Sequence, residues 1–566
     1  MPTALYSSIK TNKPRLRVGV LLDSWTAPAW IADVMQSIQQ SDIAEITAVI
    51  INLEPPPAPR NYGHGLWQIF AGLSALKHLL WELYLQFDTG WHEDFTAPFK
   101  PTDVKPIARG ATVINVEPIR RRFVDRFPDA ACAAICDERL DVLLRFGFNS
   151  LRGGILTAAK HGVWSYHHGD SDEYRGGPSG FWEMYERNPL SGVILQVLTD
   201  KVDAGRVIYR SYGATSSYES LLINRYWMYR KSVPFVVRCL RRLHSTGVLS
   251  VEPPKRAYNR CLYRTPCNLR TLIFMARVTR KMIVARIQDR LGIIRDHWFI
   301  AYGRGVHRTM AAGNCDSMIT VSAPKGKSWA DPMVVKKGGT NYVFLEELDY
   351  RSNRGRIVVV EIDASGVRGE AQVAIEADQH LSYPFVFEWK GDHYMIPETA
   401  SVRAVKLFRA VEFPTRWEFV KDLLTDVSAA DATVFEHDKR WYLFASVSES
   451  GGSYSDELFL FHADSPLGPW APHPMNPLVS DVRHARPAGA LFLSGSKLFR
   501  PAQNGAVSYG HAISVAEVTS LTPTDYTERF AYEIKPDWLP GIQGTHTISF
   551  SDDLTVLDCK RVKWRP

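Results

Sequence analysis

The densest group of chemistry-bearing side chains is the run Trp164–Trp182, WSYHHGDSDEYRGGPSGFW. It holds the adjacent pair His167 and His168, the acids Asp170, Asp172 and Glu173, then Tyr174, Arg175 and a Gly-Gly-Pro turn. Asp203 follows in TDKVDAGRVI, 203 − 167 = 36 residues later. A histidine at the carboxyl end of a strand, with a carboxylate arriving from the next turn, suits proton transfer. The carboxylate fixes the imidazole tautomer and raises its basicity. The competing reading is a hydrogen-bonded polar cluster that merely ends a strand. A metal site from His167, His168 and Asp170 is a third possibility, although no metal is expected. A second group is scattered: Asp331, Tyr383, Asp431, Arg486 and His546, with Glu398 the nearest further acid. If one axis gathers them, they make a polyol or sugar-phosphate site.

The elements that must position the first group are visible in residues 1–215. Apolar runs at Arg17–Leu22, Glu45–Leu53, Thr112–Val116, Leu140–Phe148 and Gly162–His167 alternate with helical stretches such as Trp30–Gln40. That order predicts a mostly parallel sheet covered on both faces, with ligands at the carboxyl ends of the strands. Asn61–Phe87 reads as an extra helical insertion. Cys132 and Cys136 read as buried thiols.

Residues 301–566 change character to short aromatic runs between Gly, Pro and Asp. Five segments repeat one pattern of apolar run, turn and apolar run. They open at Asp331, Tyr383, Asp431, Arg486 and Thr545, at spacings of 52, 48, 55 and 59 residues. Repeats near fifty residues that each begin with a hairpin predict a five-bladed β-propeller. The first position of each repeat then faces the central channel. Trp329, Trp389, Trp441 and Trp470 read as packed blade residues rather than sugar platforms.

Residues 216–300 connect the two regions. They carry 17 Lys and Arg against four acids, a charge of 17 − 4 = +13, whereas the whole chain is only 67 − 60 = +7. The bulk value gives no case for nucleic acid. Within the connector, Ile283, Ile287, Leu291 and Ile294 form one apolar stripe and Met275, Val278 and Met282 another. Such a helix is either wedged between two bodies or laid on an anionic membrane or sugar-phosphate surface. Seven cysteines, an odd and sparse set, argue against a disulfide framework. The first residues lack the apolar core of a signal peptide, and no run reaches ~18 uninterrupted apolar residues. The expected location is cytoplasmic.

Two resemblances sharpen these readings. The succession LDVLLRFGFNSLRGGIL, GVWSYHHGDSDEYRGGP and SGVILQVLTDKVDAGRVI resembles the folate-dependent formyltransferases. It implies 10-formyltetrahydrofolate as co-substrate, with Phe146, Gly147 and Phe148 at the cofactor. His167, Asp203 and Ser165 fall on the catalytic positions, and His168, Asp170, Tyr174 and Arg175 lie beside the substrate. Ser165 stands where that family has Asn, and Gly169-Asp170-Ser171-Asp172 replaces a Ser-Leu-Leu-Pro run. Residues 325–560 resemble five-bladed glycoside hydrolases and, more closely, the propeller of glucosamine inositolphosphorylceramide transferases. Asp331 and Asp431 match the hydrolase acids of the first and third blades, while the fourth blade offers Arg486. The expected architecture is therefore a Rossmann-like formyltransferase domain (1–215), a basic helical connector (216–300) and a five-bladed propeller (301–566). The expected activity is formyl transfer to an amino sugar. The alternatives are a glycosyl-transferring or hydrolysing propeller beside a degenerate first domain, and a non-catalytic glycan-binding protein.

Overall fold

The computed structural model describes residues 5–7, 13–54, 77–121, 123–200, 205–216, 220–253, 258, 260–304, 318–363 and 365–564. Two compact units result, one chiefly of residues 9–283 and one chiefly of residues 284–566. Among the described residues no helix is long and apolar enough to cross a membrane.

The first unit is built on a seven-stranded sheet of β1 (Leu16–Leu22), β2 (Ala44–Asn52), β3 (Thr112–Val116), β4 (Val142–Arg145), β5 (Val163–His167), β6 (Leu190–Val197) and β7 (Arg206–Ala214). Its order is β7-β6-β5-β4-β1-β2-β3. The five strands from β3 to β5 run parallel, and β6 and β7 add an antiparallel edge. Because the chain leaves β1 for β2 on one side and returns to β4 on the other, a crevice is due between the ends of β1 and β4. The chain itself fills it. Asp23, just past β1, accepts the Phe148 N–H and the Asn52 side-chain amide, both at 2.8 Å. Gly147 lies so close that a Cβ there would fall 2.4 Å from the Asp23 nitrogen.

Two helices of the predicted connector, Leu221–Ser232 and Phe235–Thr246, belong to this unit. Their Met228, Phe235, Val236, Leu240 and Leu243 join the core formed by β1, β2 and the helix Ala29–Gln39. Several of the connector's cations are spent there: Arg230 pairs with Asp33, Arg241 with Asp42, and Arg238 donates to the Tyr209 hydroxyl. The unit boundary falls inside the next helix, Asn268–Arg290, and Ile294 lies in the strand that follows it.

The second unit consists of five antiparallel sheets in chain order. The first joins Ile293–Arg304 to the chain's last strand, Leu554–Trp564, which closes the ring. The others span residues 327–375, 382–425, 429–480 and 492–534. This is the propeller arrangement that the repeat spacing predicts. Three sheets carry the same irregularity on their innermost strand. Asp331 and Pro332, Tyr383 and Pro384, and Asp431 and Ala432 each stand as two residues opposite one in the ladder. The first of each pair has positive φ, at 52°, 43° and 53°. Such a bulge aims one side chain away from the sheet and leaves its partner outside the ladder, so proline is tolerated there.

The repeat beginning at Arg486 departs from the pattern. Only an isolated bridge, Pro487 to Ala502, precedes its first strand at Phe492–Ser494. The intervening backbone turns to the closing sheet, where the Ile548 N–H donates to the Ala488 carbonyl. Gly489 makes that approach possible. Its φ is 125°, and a Cβ would sit 1.9 Å from the Ile548 oxygen.

Candidate functional site

In the first unit the histidine run is held from every side. His167 Nε2 meets the Tyr174 carbonyl at 2.9 Å. The buried Ser165 hydroxyl accepts from Arg145 Nη1 at 3.1 Å, and the same guanidinium donates to the carbonyls of Phe148 and Asn149. Phe146 packs edge-on against Trp30 at 5.5 Å. Asp170 and Asp172 grip the chain's own Arg210, and Tyr212 donates a further hydrogen bond to Asp170. Tyr174 is buried and donates to Glu186, and Arg175 lies over the Tyr258 ring at 4.3 Å. Gly176 abuts Tyr263, whose carbonyl would be 2.2 Å from an added Cβ. The Tyr-Arg-Gly run thus anchors the segment around Tyr258 and Tyr263. Asp203, and Ala204 beside it, lie outside the described residues. A polar cleft at the ends of β4 and β5 takes in Arg145, Arg152, Ser165, His167 and Thr199.

His168 is stacked on Tyr229 with ring centroids 3.6 Å apart and meets the Ser232 hydroxyl at 3.2 Å. Burial, with the neighbouring His167 adding to it, pushes its imidazole down to about 3. A depressed folded-state value means that stability is present above the unfolded value near 6.5 and lost as pH falls below it. Unfolding of this unit is expected to ease by up to ~1.4 kcal/mol per pH unit from about 6.5 downward. His168→Phe, which keeps the stack, flattens that slope in denaturant titrations run at several pH values.

The five scattered residues of the second unit do converge. Asp331 accepts the Tyr383 N–H (3.1 Å) on one oxygen and the Thr547 hydroxyl (2.9 Å) on the other. Its own N–H donates to Asp558 at 3.2 Å. Asp558, fully buried, also accepts the backbone N–H groups of His546 and Thr547. The His546 ring sits between the acids, Nδ1 2.5 Å from Asp558 and Nε2 3.6 Å from Asp331. These three residues place ligand atoms within 4.8 Å of one another, a spacing able to hold a cation. As they stand, the imidazole closes on Asp558 and lies within ion-pair distance of Asp331.

Across the axis, Arg486 donates to Asp431 from Nε (2.6 Å) and Nη2 (3.2 Å), and Nη2 also reaches Glu398 at 3.2 Å. The Gln503 amide adds a 2.6 Å bond to Asp431. Asp431 is 2% exposed on its side chain, Arg486 12% and Glu398 19%, so Glu398 is the acid that an incoming molecule meets first. Tyr383 has no exposed surface. Its hydroxyl accepts from the Gly489 N–H and bonds Thr433, both at 2.8 Å, which ties neighbouring sheets together. Trp329 and Trp441 are packed, as expected.

Burial and the neighbouring Asp431 carboxylate hold the Glu398 carboxyl well above the usual carboxylate range. Burial pushes Asp331 up to about 7, with His546 pulling the other way. Burial works against a charged His546, yet Asp558 and Asp331 keep its imidazole above its ordinary value. The axis therefore holds carboxyls of unequal character around one guanidinium, the condition for separate acid and base roles.

Sequence reasoning passed over Glu346, His380, Tyr509, Gln503 and Asp558. Glu346 pairs with His380 at 3.2 Å, and Tyr509, half-exposed, lies under Arg486 with 5.5 Å between guanidinium and ring. Glu346 did leave a signal. It follows Asp331 by 346 − 331 = 15 residues, as Glu398 follows Tyr383 by 398 − 383 = 15. Both stand beside the bulge, opposite Ala330 and Ser382.

Five small antiparallel sheets around a carboxylate-lined axis define a β-propeller. Residues 311–535 match the family described as "Glucosamine inositolphosphorylceramide transferase 1, N-terminal". Glucosamine inositolphosphorylceramide transferase 1 of Oryza sativa subsp. japonica is 34% identical over 203 residues, which is 35% of this chain and 27% of the relative. The Arabidopsis thaliana protein of the same name is 32% identical over 203 residues, 35% and 26% of the two chains. This chain thus spans little more than a quarter of their length. Among solved structures, a mutant of the GH43 protein BlXynB from Bacillus licheniformis is similar at 18% identity and TM-score 0.29, over 37% of this chain and 44% of its own. Glycinamide ribonucleotide transformylase 1 from Symbiobacterium toebii is similar at 14% identity and TM-score 0.27, over 42% and 93%.

The relatives correct the expected activity. They are transferases whose name joins glucosamine to inositolphosphorylceramide, which overturns formyl transfer as the reading of this chain. The alternative, a propeller that takes part in glycosyl transfer, fits them better.

Proposed function

We propose that the propeller unit binds a glycosyl group in its axial funnel and takes part in glycosyl transfer. The substrate class is an amino sugar together with an inositol phosphate or similar sugar phosphate, as the name of the relatives implies. The observation that carries this reading is the clamp itself: Arg486 donates to both Asp431 and Glu398, and burial beside Asp431 raises the Glu398 carboxyl above the usual carboxylate range. Glu398 is placed to give its proton to the oxygen that leaves the anomeric carbon. Asp331, poised near neutrality, takes the proton of the attacking hydroxyl as the new carbon–oxygen bond forms. Arg486 cannot lose a proton at neutral pH and serves to orient the acids and hold an anionic substrate group.

Calorimetric titration of the full chain with glucosamine, N-acetylglucosamine and inositol phosphate tests the reading. At least one is expected to bind, and Asp431→Asn is expected to weaken it at least tenfold while the protein stays folded by circular dichroism. Binding without turnover would favour the glycan-binding alternative. No binding by any of them would remove the sugar site.

A further inference from the structure

The helix Asn268–Arg290 has two apolar faces, and only one is covered. At roughly 100° per residue, Thr271, Phe274, Met275, Val278 and Met282 fall within an arc of roughly 100°. Phe274 and Val278 are buried there among Trp81, Tyr84, Phe181, Trp182 and Leu221, with Met275 and Met282 packed against the same cluster. Leu269, Leu272, Ile283, Val284 and Ile287 fall within an arc of roughly 120° centred nearly opposite. They are 66%, 54%, 49%, 45% and 51% exposed. Leu291, whose N–H continues the last turn to Ile287, extends the stripe at 54% exposure.

Leu269 and Leu272 near the start of the helix, and Ile283, Val284, Ile287 and Leu291 at its end, place two groups of exposed aliphatic side chains on one face, which is unusual for a surface in contact only with water. Their neighbours along the helix are of one sign. Arg270, Arg277, Arg280, Lys281, Arg286 and Arg290 make six cations against the single acid Asp289. Arg280 and Arg290 lie within the arc of the stripe and Arg286 borders it, whereas Arg270 lies over Trp182 and Arg277 over Tyr185, to whose carbonyl it donates at 3.0 Å. Arginine and lysine carry long aliphatic stems, so they can follow an apolar stripe into an interface while keeping their charges among anionic headgroups.

We propose that this helix docks the protein in the plane of an anionic lipid bilayer, its aliphatic stripe set into the headgroup boundary and its cations on the lipid phosphates. A second copy of the chain is the poorer occupant, because a self-complementary contact would bring the two sets of cations together. The proposal stands apart from the sugar-binding reading of the propeller and holds or fails without it.

Sedimentation of the full chain with vesicles tests it. Vesicles of phosphatidylcholine with 30% phosphatidylglycerol are expected to bind the chain, vesicles of phosphatidylcholine alone to bind it at least tenfold more weakly, and 0.5 M salt to release it. Ile283→Gln with Ile287→Gln is expected to abolish binding. These side chains are exposed, so the fold is expected to survive, which circular dichroism checks. Arg280→Gln and Arg290→Gln are each expected to weaken binding about fivefold. Equal binding to both vesicle types, or binding unchanged in the double Gln variant, overturns the proposal. So does absence of vesicle binding combined with a concentration-dependent dimer that the double variant dissolves, which would assign the stripe to a second copy.

Discussion

Arg486→Met is expected to lower the unfolding free energy of the propeller unit by about 3–5 kcal/mol. The guanidinium makes two bonds to Asp431 and one to Glu398 in a setting where Asp431 is almost wholly removed from water. Methionine keeps much of the volume but leaves the buried Asp431 carboxylate without its cation, beside the Gln503 amide and the Glu398 carboxyl. Leaving one partner of a buried pair uncompensated is the costly case, far more so than removing both. Asp431→Asn in the same chain is therefore expected to recover a large part of the loss, although it is a second substitution. Equilibrium urea unfolding of the two single variants and the double gives the coupling directly. A single-variant loss below 1 kcal/mol would mean that water entering the funnel screens the pair.

Glu398→Gln is expected to reduce turnover by about 10²- to 10⁴-fold on a glycoside whose leaving oxygen must be protonated. On a substrate whose leaving group departs as a stable anion, such as a nitrophenyl glycoside, the loss is expected to be under tenfold. The distinction matters because Glu398 also contacts Arg486, so a purely structural role would depress both substrates alike. pH supplies a second reading. A carboxyl held above its usual range keeps its proton to higher pH than a free carboxyl and loses it as pH rises. The wild-type rate on the poor leaving group is expected to fall on the alkaline side, and this limb is expected to vanish in Glu398→Gln.

Much of this architecture is legible in the sequence because it rests on local, repeated signals. The strands at Leu16–Leu22, Ala44–Asn52 and Thr112–Val116 announce themselves as apolar runs, and the five blades as a spacing near fifty residues. The axial set was found because each repeat opens with the same sequence pattern of a polar start, an apolar run and a turn. Other members are invisible for physical reasons. Asp558 comes from the last strand and meets Asp331 only through ring closure, and Tyr509 comes from a loop with no repeat to place it. The dense run at Trp164–Trp182 misleads in the opposite way. Its polar side chains look available along the chain, yet Arg210, Ser232 and Glu186, all distant in sequence or on a following turn, occupy Asp170, His168 and Tyr174. Local density of chemistry says nothing of partners that arrive from elsewhere.

The bulge that recurs at Asp331, Tyr383 and Asp431 has a consequence for how such a site can change over time. At these positions the residue is released from the ladder, so the pairing of its own strand does not depend on its side chain. Each of these three sheets thereby offers a socket of similar backbone geometry that can carry different side chains. Aspartate, tyrosine and aspartate already occupy three such sockets. A ring of nearly equivalent modules can in this way acquire an asymmetric centre one substitution at a time, and lose or redirect its activity by the same small steps while the scaffold persists.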